Sequence, residues 1–327
     1  MNILVTGGAG YIGSVTTETL RLRGDRVVVI DNLATGHRAA VDSSVPLFCI
    51  DLKETDKVAE VLTAEKIDAV VHFAAFSLVG ESVTNPAKYM DNNVGGTLSL
   101  LRAMLESGTK CLVFSSTAAT YGEPEAIPLQ ETHPTRPANP YGLTKRFMEQ
   151  AMEAYAAAHG LRFVALRYFN ACGAIPTRGE DHRPESHLIP LVLQVALGQR
   201  ESIQVFGTDY DTPDGTCVRD YIHVADLADA HLRALDMLEG GGQSLICNLG
   251  NGAGYSVREV VQACREVTGR EITVVEGPRR AGDPSRLIAD ASLAKKRLGW
   301  APRIPDLRQI VLDAWTWHST HPEGYAE

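Results

Sequence analysis

A short apolar run, Ile3-Leu4-Val5, feeds the glycine-rich turn Thr6-Gly7-Gly8-Ala9-Gly10-Tyr11-Ile12-Gly13, and this junction restricts the possible folds more than any other stretch. An apolar run that short, bounded by a turn signal, reads as a buried strand. Behind the turn, Ser14 to Arg23 predicts a helix that stops at Gly24, and Arg26-Val27-Val28-Val29-Ile30 predicts a second strand ending on Asp31. Strand, glycines, helix, strand and acid in that order make a βαβ unit suited to a dinucleotide. Gly7, Gly10 and Gly13 are spaced GxxGxxG rather than GxGxxG. They permit a tight turn and bring the backbone close to a pyrophosphate, whose charge the helix N-terminus stabilises. A carboxylate at Asp31 can accept hydrogen bonds from a ribose diol and repels a 2′-phosphate, which favours NAD over NADP.

The alternation continues. Ala69-Val70-Val71-His72-Phe73, Lys110-Cys111-Leu112-Val113-Phe114 and Leu161 to Arg167 read as further buried strands. Helical patterns fall between them, one around Gly95 to Glu106 and one from Tyr141 to His159, closed by Gly160. Strands alternating with helices predict an α/β fold with a doubly wound parallel sheet of the Rossmann type. Ligands of such sheets lie beyond the carboxyl ends of the strands, so the hydroxyls of Ser115-Ser116-Thr117 are expected to face the cleft.

One helix carries Tyr141-Gly142-Leu143-Thr144-Lys145. Residues four apart share a helix face, so both side chains can point into one cleft. Tyrosine is a poor base, with an unperturbed pKa of about 10. A nearby ammonium favours the phenolate, and a nicotinamide cation favours it further. The spacing alone also fits a solvated helix; the cofactor site in the same chain gives it chemical meaning.

Composition excludes several classes. A formal net charge of −9 over 327 residues, with no basic tract, argues against nucleic acid as a partner. An anionic substrate therefore needs local arginines. The six cysteines, at 49, 111, 172, 217, 247 and 264, show neither CxxC pairing nor metal-type spacing, so buried free thiols are expected and no metal ligand set is read. No apolar run approaches the length of about 18 residues needed to span a membrane, and no cleavable leader is read at Met1. A cytoplasmic location is expected.

Read end to end, the segments TGGAGYIG, DNLATG, VHFAA, LVGESV, DNNVGGT, FSSTAATYG, NPYGLTK, LRYFNACGA, DGTCVRDYIHVADLADAH, YSV and AGDPSRLIADAS resemble, in order, the extended short-chain dehydrogenase/reductase family, and within it the branch that inverts C4 of UDP-hexoses. The resemblance implies reversible NAD-dependent interconversion of UDP-galactose and UDP-glucose through a 4-keto sugar, with NAD as a prosthetic group. By position it implies Tyr141 as the acid/base, Lys145 as the lysine that holds the nicotinamide ribose and lowers the tyrosine pKa, and Thr117 as the hydroxyl that bonds the sugar 4-OH. Tyr11, Ile12, Asp31 and Asn32 match NAD contacts, Asp51 and Leu52 adenine contacts, and Phe73, Ala74, Asn92 and Tyr168 others along the cofactor. Asn170, His187, Leu188, Phe206, Arg219, Arg280, Asp283 and Leu287 match the nucleotide-sugar site. A homodimer built on a bundle that includes the Tyr141 helix is implied as well, although that helix's Phe147, Met148, Ala151, Met152 and Tyr155 could equally fill a core.

The residues themselves keep simpler readings open. Arg219 and Arg280 can grip a diphosphate through guanidinium forks, but Arg219 could pair with adjacent Asp220. Asp283 could shape a turn between Gly282 and Pro284, Thr117 could be a mere strand-end hydroxyl, and Asn92 a helix cap. Ser77 stands where some members carry a lysine near the phosphates, His187 where others carry an asparagine, and Leu287 where a bulky aromatic excludes N-acetylated sugars. UDP-N-acetylhexosamines or UDP-pentoses are therefore alternative substrates. A 4,6-dehydratase is disfavoured because Ala118-Ala119 follows Thr117 where such enzymes place Asp-Glu. A non-catalytic NAD-binding regulator would have no use for Tyr141, Lys145 and Thr117 together. The expected division is an NAD domain of residues 1–170 plus about 219–240, and a smaller mixed α/β substrate domain of about 171–218 plus 241–327.

Overall fold

Valine, isoleucine and leucine alternate along the early strands so that each strand buries both faces, the pattern of a parallel sheet covered on two sides. The computed structural model describes residues 1–280 and 283–326. Its strands, in chain order, are β1 (Asn2–Thr6), β2 (Arg26–Ile30), β3 (Leu47–Phe48), β4 (Ala69–His72), β5 (Cys111–Thr117) and β6 (Arg162–Tyr168). There follow β7 (Asn170–Cys172), β8 (Ile203–Phe206), β9 (Val218–His223), β10 (Leu245–Leu249), β11 (Gly254–Ser256), β12 (Val274–Gly277) and β13 (Arg286–Leu287).

Seven strands form one parallel sheet in the order β10-β6-β5-β4-β1-β2-β3. The chain runs outward from β1 to β3, then returns to β4 and runs the other way. The strand order therefore reverses between β1 and β4, the place where such sheets open a ligand crevice. This is the doubly wound α/β fold that the alternation predicts.

Ile3, Val5, Val29, Val71, Val113 and Leu166 point to one face, where Leu20 of the Tyr11–Arg23 helix and Leu227, Leu235 and Leu238 of the Val224–Glu239 helix cover them. Leu4, Val28, Val70, Leu112, Phe114 and Ala165 point to the other, under the helices Thr55–Ala64, Gly96–Ser107 and Pro140–His159. A third core gathers the helices Leu188–Ala196, Val257–Thr268 and Leu307–Thr320 around Val192, Leu193, Val260, Cys264 and Ile310. Beside it, β9 pairs with β11, β13 and β7, and β12 pairs with β8.

The Val224–Glu239 helix packs on the large sheet. The boundary at 241 needs correction: β10 hydrogen-bonds β6 as the sheet's edge, and Ala294, Leu298 and Trp300 pack in the same core. The expectation failed because Leu245–Leu249 is one short apolar strand whose partner lies about eighty residues away. Of the six cysteines only Cys49 is exposed, and all are free. No described helix is long and apolar enough to cross a membrane. Ala281, Gly282 and Glu327 lie outside the described residues.

Candidate active site

Beyond the carboxyl ends of β1 and β2 lies the glycine turn. Gly7 adopts φ +73°, and a Cβ there would stand 2.6 Å from the Ala74 nitrogen. At Gly13 a Cβ would stand 2.1 Å from the Gly7 carbonyl oxygen. Only glycine fits at either place, and the close packing lets the Tyr11–Arg23 helix start directly beneath the turn. That helix has Gly10 as N-cap and no side chain capping it, so its first amides are available to an anion.

Asp31, just past β2, is buried. One carboxylate oxygen accepts the Ala9 N–H at 2.9 Å and the other the Leu33 N–H at 2.8 Å. Burial raises its pKa and the two backbone bonds partly offset this. The acid thus braces the glycine turn as well as facing the crevice. Asn32 donates to Asp51 at 3.2 Å, and Leu52 follows in the core beneath. Phe73 and Ala74 donate their N–H groups to the Thr6 carbonyl and close the turn from the β4 side. Uncapped amides, a cradle that admits only glycine and a carboxylate at the second strand fit a dinucleotide. Tyr11 turns its hydroxyl away, to the Gly173 carbonyl at 2.6 Å.

The catalytic candidates lie past β5. Asn139 caps the Pro140–His159 helix by accepting the Gly142 N–H at 2.8 Å, with Pro140 in its first turn. A Cβ on Gly142 would stand 2.4 Å from the Ala119 carbonyl oxygen, so this helix presses directly on the loop after Thr117. That contact brings the half-buried Tyr141 to Thr117. Burial, partly offset by the neighbouring Thr117 hydroxyl, raises the Tyr141 pKa to about 12. One turn on, buried Lys145 donates to the Ser115 carbonyl at 2.8 Å, with its ammonium 5.9 Å from the Tyr141 ring centroid. Burial, only partly offset by Glu149 a further turn on, lowers its pKa to about 7.

The three hydroxyls of β5 do not all face the cleft. Pleating sends alternate side chains to opposite faces. Thr117 meets Tyr141 and Ser115 meets the Tyr168 hydroxyl, whereas Ser116 turns away and donates to Glu149 at 2.7 Å. Glu149 is fully buried and accepts both arms of the Arg167 guanidinium, at 2.8 and 2.6 Å. Sequence reasoning did not find this pair.

It missed His72 too, at the end of β4 where the strand order reverses. His72 lies 2.7 Å from the Thr6 hydroxyl and 2.9 Å from the Thr97 hydroxyl, and burial, with Lys145 nearby, lowers its pKa to about 3. Asn92 opens onto Asn93 at 3.0 Å inside a π-helical turn, Met90–Gly95. Asn93 in turn receives the Phe76 N–H and donates to Thr144. Helical irregularities of this kind often mark ligand sites.

The expected substrate residues converge in part. Asn170 donates to the Asp220 carbonyl at 3.0 Å, and Leu287 pairs with Arg219 between β13 and β9. Arg219 pairs with Asp283 and not with Asp220. Adjacent strand residues point to opposite faces, and Asp220 is buried, accepting N–H groups from Asn251, Gly252 and Ala289. Burial raises its pKa to about 6. The Arg280 guanidinium stacks 3.9 Å over the Phe206 ring. Ser77 is exposed. His187 opens the helix that Leu188 begins and faces Glu180 and Glu185. Burial opposes its protonation, but the two carboxylates raise its pKa to about 10.

A family model described as "NAD dependent epimerase/dehydratase family" matches residues 3–250. The chain belongs to this family. A relative from Lacticaseibacillus casei named "UDP-glucose 4-epimerase" is 53% identical, the match covering 100% of this chain and 99% of that one. A solved UDP-glucose 4-epimerase superposes with a TM-score of 0.98 at 52% identity, covering 100% of both chains. The UDP-glucose 4-epimerase from Brucella ovis, solved in complex with NAD, gives 0.94 at 48% identity, covering 96% of this chain and 97% of that one. The geometry of the glycine turn fits the NAD that this family's description names.

Proposed function

We propose that the chain inverts C4 of the hexose in UDP-galactose and UDP-glucose reversibly, retaining NAD as a prosthetic group. The observation that carries this is Lys145, which donates to the Ser115 carbonyl two residues before Thr117 and holds its ammonium 5.9 Å from the ring of Tyr141, one helical turn back and beyond the same sheet edge as the glycine turn. NAD, when bound, supplies a hydride acceptor that later returns the hydride to the same carbon. Tyr141 removes the proton of the 4-hydroxyl and gives it back after the 4-keto sugar has presented its other face. Thr117 holds that hydroxyl in line. Lys145 draws the phenol toward its anion only while charged, and Glu149 favours that state.

The nucleotide end belongs to Arg219, Arg280, Phe206, Asn170 and Asp283. Arg219 exchanges its Asp283 partner for the diphosphate, and the exposed Arg280 reaches the same anion from its perch on Phe206. Tight UDP binding with loose hexose contacts is what a sugar that must turn over requires. His187 and Leu188 border the same site, and Leu287, beside Arg219, limits what the hexose may carry. Relative turnover of UDP-galactose and UDP-N-acetylgalactosamine measures that limit.

The test is conversion of UDP-galactose with no NAD added. The parent enzyme should form UDP-glucose. Tyr141→Phe should lose turnover by about 10²- to 10⁴-fold while still carrying NAD. A cofactor-replete preparation that makes no UDP-glucose defeats the proposal, and an NAD-loaded Tyr141→Phe with parental turnover defeats the role of the tyrosine.

We also propose a homodimer. Met148 and Met152 face the chain's own core, but Phe147, Leu98 and Leu105 remain exposed on two neighbouring helices. These are the residues that a second copy would cover.

A further inference from the structure

The segment between β7 and the Leu188–Ala196 helix brings four ligating side chains to one point. Glu180, His182, Glu185 and His187 each offer one nitrogen or oxygen, and all four atoms lie within 4.8 Å of one another. His182 Nδ1 stands 3.1 Å from Glu180 Oε1 and 3.8 Å from Glu185 Oε2. His187 Nδ1 stands 2.7 Å from Glu180 Oε1 and 3.2 Å from Glu185 Oε1. Donors bound at about 2.0–2.1 Å around a tetrahedral zinc lie about 3.4 Å from each other, within the range these distances span.

Three further features point to a common centre. Both imidazoles turn the same ring atom inward, toward one shared carboxylate oxygen, with their rings 5.2 Å apart. The two carboxylates are nearly sealed from solvent, at 3% and 6% exposure, although like charges at close range repel. Glu185 is aimed by the backbone, accepting the N–H groups of Ser186 at 2.7 Å and His187 at 2.8 Å, an outer support of the kind that orients metal ligands.

We propose that Glu180, His182, Glu185 and His187 form a structural site for one divalent transition-metal ion, with zinc as the best fit. Two carboxylates balance the charge of the ion, and two neutral imidazoles complete an N2O2 set. Four protein ligands leave no open position, which separates a structural site from a catalytic one. Such an ion closes the loop of residues 180–187 on itself. The loop in turn holds other parts of the chain: Asp181 accepts the Tyr325 N–H at 3.0 Å and lies 3.3 Å from His37, and His182 meets the Tyr11 ring edge-on. The metal therefore fixes the start of the helix bearing Leu188 against the loop that follows β2.

Zinc content decides the matter. The purified full-length protein, dialysed against metal-free buffer with a slight excess of zinc and then against buffer alone, should retain about one zinc per chain by mass spectrometry. Glu180→Gln, which preserves side-chain shape, and His182→Ala should each lose most of it. A chelator should lower the Tm of the parent and leave that of the variants unmoved. Cobalt loaded in place of zinc should give the visible bands of a tetrahedral site in the parent alone. A parent that retains no zinc overturns the proposal and leaves the four side chains as an ion-pair cluster. So does zinc retained equally by the parent and by a Glu180→Gln variant that melts cooperatively like the parent.

Discussion

Lys145 shows how one residue's charge depends on a second, buried one turn behind it. Burial brings its pKa to about 7 even with Glu149, one helical turn away, opposing the loss of the proton. Glu149 is itself held by Arg167, Ser116 and Arg146. Removing one member of a buried ion pair strands the other, at a cost of about 3–5 kcal/mol. Glu149→Gln should therefore lower stability by that order in urea unfolding, and should shift the alkaline side of the activity profile to lower pH as Lys145 loses its support. An unchanged pH profile would separate Glu149 from the lysine. Tyr141, Lys145 and Thr117 were legible as residues because a motif names them. Glu149 and His72 were not, since nothing local to either position signals a partner such as Arg167 or Thr6. Glu180, His182, Glu185 and His187 are silent in sequence for another reason: only the fold turns their side chains toward one point.

At the level of elements, punctuation carried most of the information. Gly24 and Gly160 end helices at φ +97° and +70°, where the sequence places both stops. Strand ends were less visible. β5 runs on through Thr117 because Ser115, Ser116 and Thr117 all pair with β6, although three hydroxyl residues in a row suggest that the strand has finished. The Pro140–His159 helix depends on its contact with Ala119, which leaves no room for a side chain at Gly142. Gly142→Ala should cost about 1–3 kcal/mol of stability by overpacking. Since a displacement of about 1 Å at the reacting groups can cost about 100-fold in rate, turnover should fall further than stability alone explains. Thermal melting and kcat measured on the same sample give the comparison, and a fully active, destabilised variant would break the link.

For the whole molecule, His72 and His231, two of the histidines whose pKa burial lowers, contribute to the response to acid. Burial lowers His72 to about 3 and His231 to about 4, below the unfolded value of about 6.5. As pH falls through 6.5 the unfolded chain takes up these protons first, so stability drops until the folded pKa values are reached. By pH 5 each histidine should have removed about 2 kcal/mol relative to pH 8. His231→Phe should shrink the difference between unfolding at pH 8 and pH 5 by about that amount, and an identical difference in the two proteins would contradict the assignment. Assembly is a separate test. Phe147→Glu should convert a dimer to monomers by light scattering, while a parent that is already monomeric removes the proposed interface.

The chain passes between its large sheet and its third core several times: β9 joins the small sheet, the helix after it covers the large one, and β10 closes the edge of β6. A gene cut after residue 170 would encode a sheet lacking its last strand and one of its covering helices, with valines and leucines bare to water. The remaining fragment would carry that helix with nothing to cover. Neither half therefore carries a complete core of its own, and the two can bury their apolar faces only together.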